Sequence, residues 1–179
     1  MSDKSFLDQA LGIAVDAHCG QYRKQSLMPY VVHPIRVADL VDKISVGDDI
    51  MISAAFLHDV LEDCGQMYHQ TIKSLSHSVY DVVMELTHDE SIAKEEYLKS
   101  FSIKSIRSLI IKVCDRVDNL RDYKSSSCPK HLKYVKKYAK KAKSLIEIVE
   151  SRMKEIKDSG LVIMSEFEKL VDEIKEKMK

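Results

Sequence analysis

The stretch 56-FLHDVLED-63 sets a histidine, two aspartates and a glutamate among apolar neighbours. A carboxylate carried toward a core is costly unless it is paired or holds a metal. These eight residues are therefore either a site on a buried helix or an acidic stretch on a surface one. On a helix, residues three and four apart share a face. His58 then lies above Glu62, Asp59 above Asp63, and Asp59 is also in reach of Glu62. Imidazole with carboxylates suits a borderline divalent ion such as Mn²⁺, Fe²⁺ or Zn²⁺. The acid pair one turn on could orient or deprotonate a water.

Outward from this stretch the pattern stays helical. Asp48 or Asp49 opens the helix that carries it, through Ile52, Ala55, Phe56 and Val60. Upstream, Phe6, Ala10, Ile13, Ala14 and Ala17 recur at helical spacing, with Ser2 or Asp3 as cap. Gly20 and Pro29 break the period, and Pro34 suits the first turn of a helix through Val37, Leu40 and Val41. Downstream, one helix is expected from Thr71 to Leu86, a short charged one from Ile92 to Lys99, and a strongly apolar face from Ile106 to Val117. Leu132 to Met153 reads as a long amphipathic helix, Gly160 interrupts, and Leu161 to Ile174 forms the last. Only three prolines and five glycines occur, and no alternating strand pattern is present. The expectation is all-α, one bundle of about seven to nine helices over residues 1–179. Its motif-bearing core covers about 14–122, and helices over about 130–178 complete it.

The 28 basic and 28 acidic side chains balance, so no bulk field draws the chain to nucleic acid. No apolar run reaches membrane-spanning length and the start lacks a signal peptide's core. Cys19, Cys64, Cys114 and Cys128 are widely spaced, which fits neither a disulfide framework nor a zinc-thiolate knot. A reduced, cytoplasmic protein is expected, with the oligomeric state left open, a homodimer included.

One helix turn cannot fill a coordination sphere. His33, in PYVVHP, and Asp115, placed after the most apolar run in the chain, are candidates for further ligands. Singly, each is ordinary, a turn histidine and a cap aspartate. Their joint order, H…HD…D, is the signature of the HD metal-dependent phosphohydrolases, which this chain resembles. The blocks AHCGQYRKQSLMPYVVHPIRVADLV, AAFLHDVLEDCG and IIKVCDRVDNLRD resemble those of the RelA/SpoT-type alarmone hydrolase domain, most of all its stand-alone small members.

The resemblance implies that His33, His58, Asp59 and Asp115 ligate a metal, usually Mn²⁺, and that Glu62 and Asp63 position or activate water. It implies Arg23, Lys24 and Asn119 as nucleotide contacts, with Lys112 and Arg116 as phosphate partners. The activity implied is hydrolysis of the 3′-pyrophosphate of (p)ppGpp to GDP or GTP and pyrophosphate. A related nucleotide, (p)ppApp or the 2′-phosphate of NADPH, is the alternative among substrates. A nucleotide-binding regulator without turnover and a basic nucleic-acid adaptor are alternatives of other classes.

The chain departs from the family pattern in places: the third block reads CDRVDN where ADRLxN is usual, and THDESIAKEEYLKS, between the second and third blocks, keeps only a loose likeness. Asp118 stands where histidine or tyrosine usually precedes the asparagine, unfavourable if it faces a polyphosphate and neutral if it faces solvent. Gln25 precedes SLMPY, a stretch where the family often has a glycine soon after the RK pair. The lysines at 130, 133, 136, 137, 140, 141 and 143, interleaved with Tyr134 and Tyr138, read first as a solvated helix face. Some could instead form a rim that steers an anionic substrate. His18 is expected to brace the site, and His69, His77, His88 and His131 to be surface or packing residues.

Overall fold

A computed structural model of the chain describes residues 5–24, 27–65, 67–124, 135 and 138–179, with the side chains of 123–124 left aside. Ser2, Asp3, Gln25, Cys128, Lys130, His131, Leu132, Lys133, Tyr134, Lys136 and Lys137 lie outside the described residues. The architecture is all-α. Among the described residues no strand forms, and two isolated bridges, Tyr22 to Pro29 and Ser45 to Val162, tie loops together.

The first helix, α1 (Phe6–Ala17), is capped by Ser5, whose hydroxyl accepts from the Asp8 amide at 3.1 Å. It is followed by α2 (Val32–Ile44), whose first turn holds Pro34, and α3 (Asp49–Leu57), capped by Asp48 at the Met51 amide. Then come α4 (Val60–Cys64), α5 (Tyr68–Leu75) and α6 (His77–Leu86). The single helix expected from Thr71 to Leu86 is thus two. Ser76 sits in extended backbone between them and its hydroxyl accepts from the Val79 amide. Serine competes with the helix ladder for local partners and favours such a cap.

The chain continues through α7 (Lys94–Lys99), a 3₁₀ turn and the 19-residue α8 (Ile106–Lys124). The long helix expected from Leu132 to Met153 is divided where it is described: α9 (Lys143–Ser151) passes into α10 (Met153–Ser159) at Arg152. Gly160 closes α10 in left-handed backbone (φ 65°), which a glycine adopts without penalty, and α11 (Met164–Met178) follows.

A continuous core runs from Ala10 and Ala14 of α1, through Met51, Ala54 and Leu57 of α3, to Leu109, Ile110 and Val113 of α8 and Phe167 and Ile174 of α11. Small residues on α1 and α3 let those helices pack closely, and α8 lies against α2, α6 and α11. Buried apolar side chains surround α8 on nearly every side, so the polar residues along it need partners from neighbouring helices. No described helix is long and apolar enough to cross a membrane.

Candidate metal and nucleotide site

The opening stretch is not one helix. Its ladder breaks between Leu57 and Val60, and His58 and Asp59 form the joint between α3 and α4. The physical reason is local. His58 Nδ1 lies 2.8 Å from the Ala55 carbonyl oxygen, an acceptor the ladder would otherwise use. The joint changes which acids converge. Glu62 lines the cavity described below, whereas Asp63 is outside its lining.

A carbonyl only accepts, so His58 carries its hydrogen on Nδ1 and presents the Nε2 lone pair. That Nε2 is buried, without a hydrogen-bond partner, and lies 3.1 Å from Asp59 Oδ2. His33, at the start of α2, repeats the arrangement. Its Nδ1 donates to Asp118 Oδ2 at 2.7 Å, and its Nε2 lies 3.3 Å from Asp115 Oδ1 and 3.5 Å from Asp59 Oδ2. Donor atoms of His33, His58 and Asp59, one from each, fall within 4.8 Å of one another, close enough that the three could hold a metal ion, and Asp115 stands beside them.

Two imidazole lone pairs facing carboxylates are unfavourable unless a cation or a proton lies between. Mixed nitrogen and carboxylate donors of this kind suit a divalent ion. The buried, unpartnered Nε2 of His58 is the clearest sign that one fits. Without it, a proton takes the place. Burial pulls the His33 pKa down, but hydrogen bonds to Asp115 and Asp118 and the charge of Asp59 outweigh that and raise it to about 9. Burial likewise pushes Asp59 and Asp115 up, and both are nonetheless held below the usual carboxylate range. For Asp59 the charges of His58 and His33 prevail, and for Asp115 those of Lys112 and His33.

The remaining acids differ. Burial and the charge of Asp59 push both Glu62 and Asp63 upward. One Glu62 oxygen accepts from the His88 amide at 3.1 Å. Tyr30 donates to Asp59 Oδ2 at 2.7 Å; burial and the charges of Asp59 and Asp63 drive its pKa far up, so it stays a donor.

Tyr30, His33, Asp59, Glu62 and Asp115 form the floor of a cavity of about 580 Å³. Lys112, Arg116 and Asn119 reach it from α8, and Lys94, Lys140, Lys141 and Lys143 form the basic wall. Six basic side chains line it against four acidic, so beyond the floor its field favours an anion. Lys112 Nζ lies 2.9 Å from Asp115 Oδ2. Arg116 is buried, its guanidinium 4.1 Å from the centre of the Tyr138 ring and its Nε without a hydrogen-bond partner.

Arg23 and Lys24 take other places. Arg23 is buried, donating to Asp122 at 3.0 Å and to Asn119 Oδ1 at 2.7 Å, and is not part of the lining. Asn119 in turn donates to the Asp115 carboxylate and to its carbonyl. Lys24 is exposed outside the cavity. Asp118 takes neither of the two positions weighed for it from sequence: it is buried between His33 and Arg36. His88, expected to be a surface or packing residue, lines the cavity, and Lys140, Lys141 and Lys143 are exposed, as read first from sequence, while also bordering it. The alternation of lysine with Tyr138 was the available sign for that wall, and nothing near His88 in sequence marked it. His18 braces the rear, its ring 4.8 Å from Tyr30 and its Nδ1 at 2.9 Å from Gln21 Oε1.

Residues 10–145 match the family described as HD domain. A guanosine-3′,5′-bis(diphosphate) 3′-pyrophosphohydrolase of Drosophila melanogaster is 33% identical over 120 residues, 64% of this chain and 67% of that protein. Its namesake in Xenopus tropicalis is 29% identical over 129 residues, covering 69% and 72%. A solved structure, described as a metazoan orthologue of SpoT that hydrolyses ppGpp and plays a role in starvation responses, superposes with a TM-score of 0.74. It is 26% identical, and the match covers 97% of this chain and 96% of that one.

Proposed function

This chain belongs to the HD-domain family, and from that premise we propose that it hydrolyses the 3′-pyrophosphate of guanosine alarmones, (p)ppGpp, giving GDP or GTP and pyrophosphate. The observation that carries the reading is the convergence of the His33 and His58 Nε2 atoms on Asp59, with Asp115 beside His33, under a basic-walled cavity that His33, Asp59 and Asp115 line. The Drosophila and Xenopus relatives are guanosine-3′,5′-bis(diphosphate) 3′-pyrophosphohydrolases, which supports the reading.

In this reading His33, His58, Asp59 and Asp115 would hold a divalent ion, Mn²⁺ before others. When bound, that ion supplies Lewis acidity and lowers the pKa of water. Glu62 is the general base. Its raised pKa brings it toward working pH, and the His88 amide fixes one of its oxygens. Water's oxygen joins the phosphorus next to the ribose 3′-oxygen, the bond between those two breaks, and a proton goes to the 3′-oxygen. Asp63 acts at one remove, through Tyr30. Lys112 and Arg116 meet the reacting phosphates, and Lys140, Lys141 and Lys143 meet those at the far end of the nucleotide. Asn119, held by Arg23, contacts the nucleoside, so Arg23 serves substrate through Asn119 rather than by touching it. The free thiols of Cys19, Cys64 and Cys114 are in keeping with a reducing, cytoplasmic setting.

The test is a turnover panel. Protein stripped and reloaded with Mn²⁺ is given ppGpp, pppGpp, ppApp and NADPH, with pyrophosphate and orthophosphate both quantified. Pyrophosphate from ppGpp, lost in Asp59→Ala, is the expected result. Orthophosphate from NADPH alone would replace the substrate and keep the site, and silence with metal bound would favour a regulator.

A further inference from the structure

Asp118 is the one position in the third motif block where the chain departs from the family pattern next to the asparagine, and it is also the partner of His33. Both of its oxygens face cationic or N–H groups. Oδ2 accepts from His33 Nδ1 at 2.7 Å and from Arg36 Nη2 at 3.1 Å, while Oδ1 lies 2.7 Å from Arg36 Nε, close but off the hydrogen-bond line. His33 and Arg36 stand one turn apart on α2, and Asp118 faces both from α8. Arg36 Nη2 also reaches Asp122 Oδ1 at 3.0 Å.

We infer that Asp118 is the positioning residue that makes His33 a metal ligand, with Arg36 clamping the carboxylate in place. The inference rests on the proposal that the His33 cluster binds a divalent cation. An imidazole can present either nitrogen, and its ring can flip; a charge-assisted bond to Nδ1–H removes both freedoms. With Nδ1 held, the Nε2 lone pair is fixed toward Asp59 and Asp115. Carboxylate partners of ligating histidines also make the other nitrogen more basic. His58 has no such partner: its Nδ1 is held by the neutral Ala55 carbonyl. The two histidines are therefore unequal donors, and His33 is the stronger.

Mn²⁺ binding to the full-length chain, read from the loss of the free-ion EPR signal, tests this without reference to turnover. Asp118→Ala should weaken Mn²⁺ binding about 10- to 100-fold, and Asp118→Asn, which keeps an acceptor and loses the charge, about tenfold. Asp122→Asn is the control, since Asp122 shares Arg36 while the His33 Nδ1 bond goes to Asp118; it should change affinity by less than about threefold. ¹⁵N spectra of the Zn²⁺-loaded wild type should show the His33 Nδ1–H protected from exchange and that of Asp118→Asn less so. Should Asp118→Ala not fold, the comparison of the two asparagine variants decides. Equal effects of Asp118→Asn and Asp122→Asn, or wild-type affinity in Asp118→Asn, would overturn the inference and leave the metal reading standing. A wild-type chain that binds no Mn²⁺ would remove both.

Discussion

Truncating Asp115 should destabilise the metal-free protein more than removing its cationic partner. Asp115 and Lys112 are paired at 2.9 Å with side chains only 7% and 13% exposed, so each is a poorly solvated charge. Breaking a buried pair from one side typically costs about 3–5 kcal/mol. The cavity admits water near Lys112, which places Asp115→Ala at the lower end, about 3 kcal/mol. In a domain of this size that is roughly 6–12 °C in Tm. Lys112→Met leaves Asp115 with Asn119 and with His33, whose raised pKa keeps it protonated at neutral pH. A charge that retains partners should cost only about 1–2 kcal/mol. The single costs then add to about 4–5 kcal/mol, and the double variant should fall short of that sum by at least about 1 kcal/mol, because no orphaned charge remains. Urea unfolding at pH 7 in EDTA, followed by circular dichroism, keeps metal out of the comparison. An additive double variant, or a Lys112→Met loss as large as that of Asp115→Ala, would refute the reasoning.

Glu62→Gln should lower kcat by about 10²- to 10⁴-fold while Mn²⁺ content, measured by atomic emission, is unchanged, since Glu62 stands apart from the imidazole cluster. Cys114 is fully buried, and burial drives its thiol pKa far above the ordinary value. The folded state thus favours the neutral thiol, so its contribution is intact below the ordinary thiol pKa of about 8.5 and is lost as pH rises beyond it. Iodoacetamide at pH 8.5 should label exposed Cys19 within minutes and Cys114 only in denaturant, as read by peptide mass spectrometry. Ser76→Ala removes the cap that divides α5 from α6 and should lower stability by about 1 kcal/mol in the same urea assay.

Residues that must be costly wherever they fall were legible in the sequence. His58 and Asp59 interrupt an apolar run and Asp115 follows one, so composition alone asked for partners or a cation. The local breaks were harder to see. His58 ends α3 by taking the Ala55 carbonyl, and Ser76 divides what periodicity joined, because a side chain that competes with the ladder leaves the hydrophobic spacing unchanged. Long-range pairings were least visible. Arg23 looks like a ligand contact in sequence, and only the approach of its loop to α8 reveals Asp122 and Asn119 as its partners. Asp118 was ambiguous for the same reason. Its meaning lies with His33 and Arg36, some eighty residues away.

The cavity's division into an acidic floor and a basic wall couples the two ligands it would take. A polyphosphate arriving at a metal-free floor would find Asp59, Glu62 and Asp115 beneath it, their charge offset only in part by protonated His33 and by Lys112. The wall would hold its far end while the near end was repelled. A divalent ion on the floor reverses that local sign, and the whole length of the cavity then attracts the same molecule. Each ligand prepares the pocket for the other, so cation and nucleotide should bind with positive coupling, each tightening the other by the same factor.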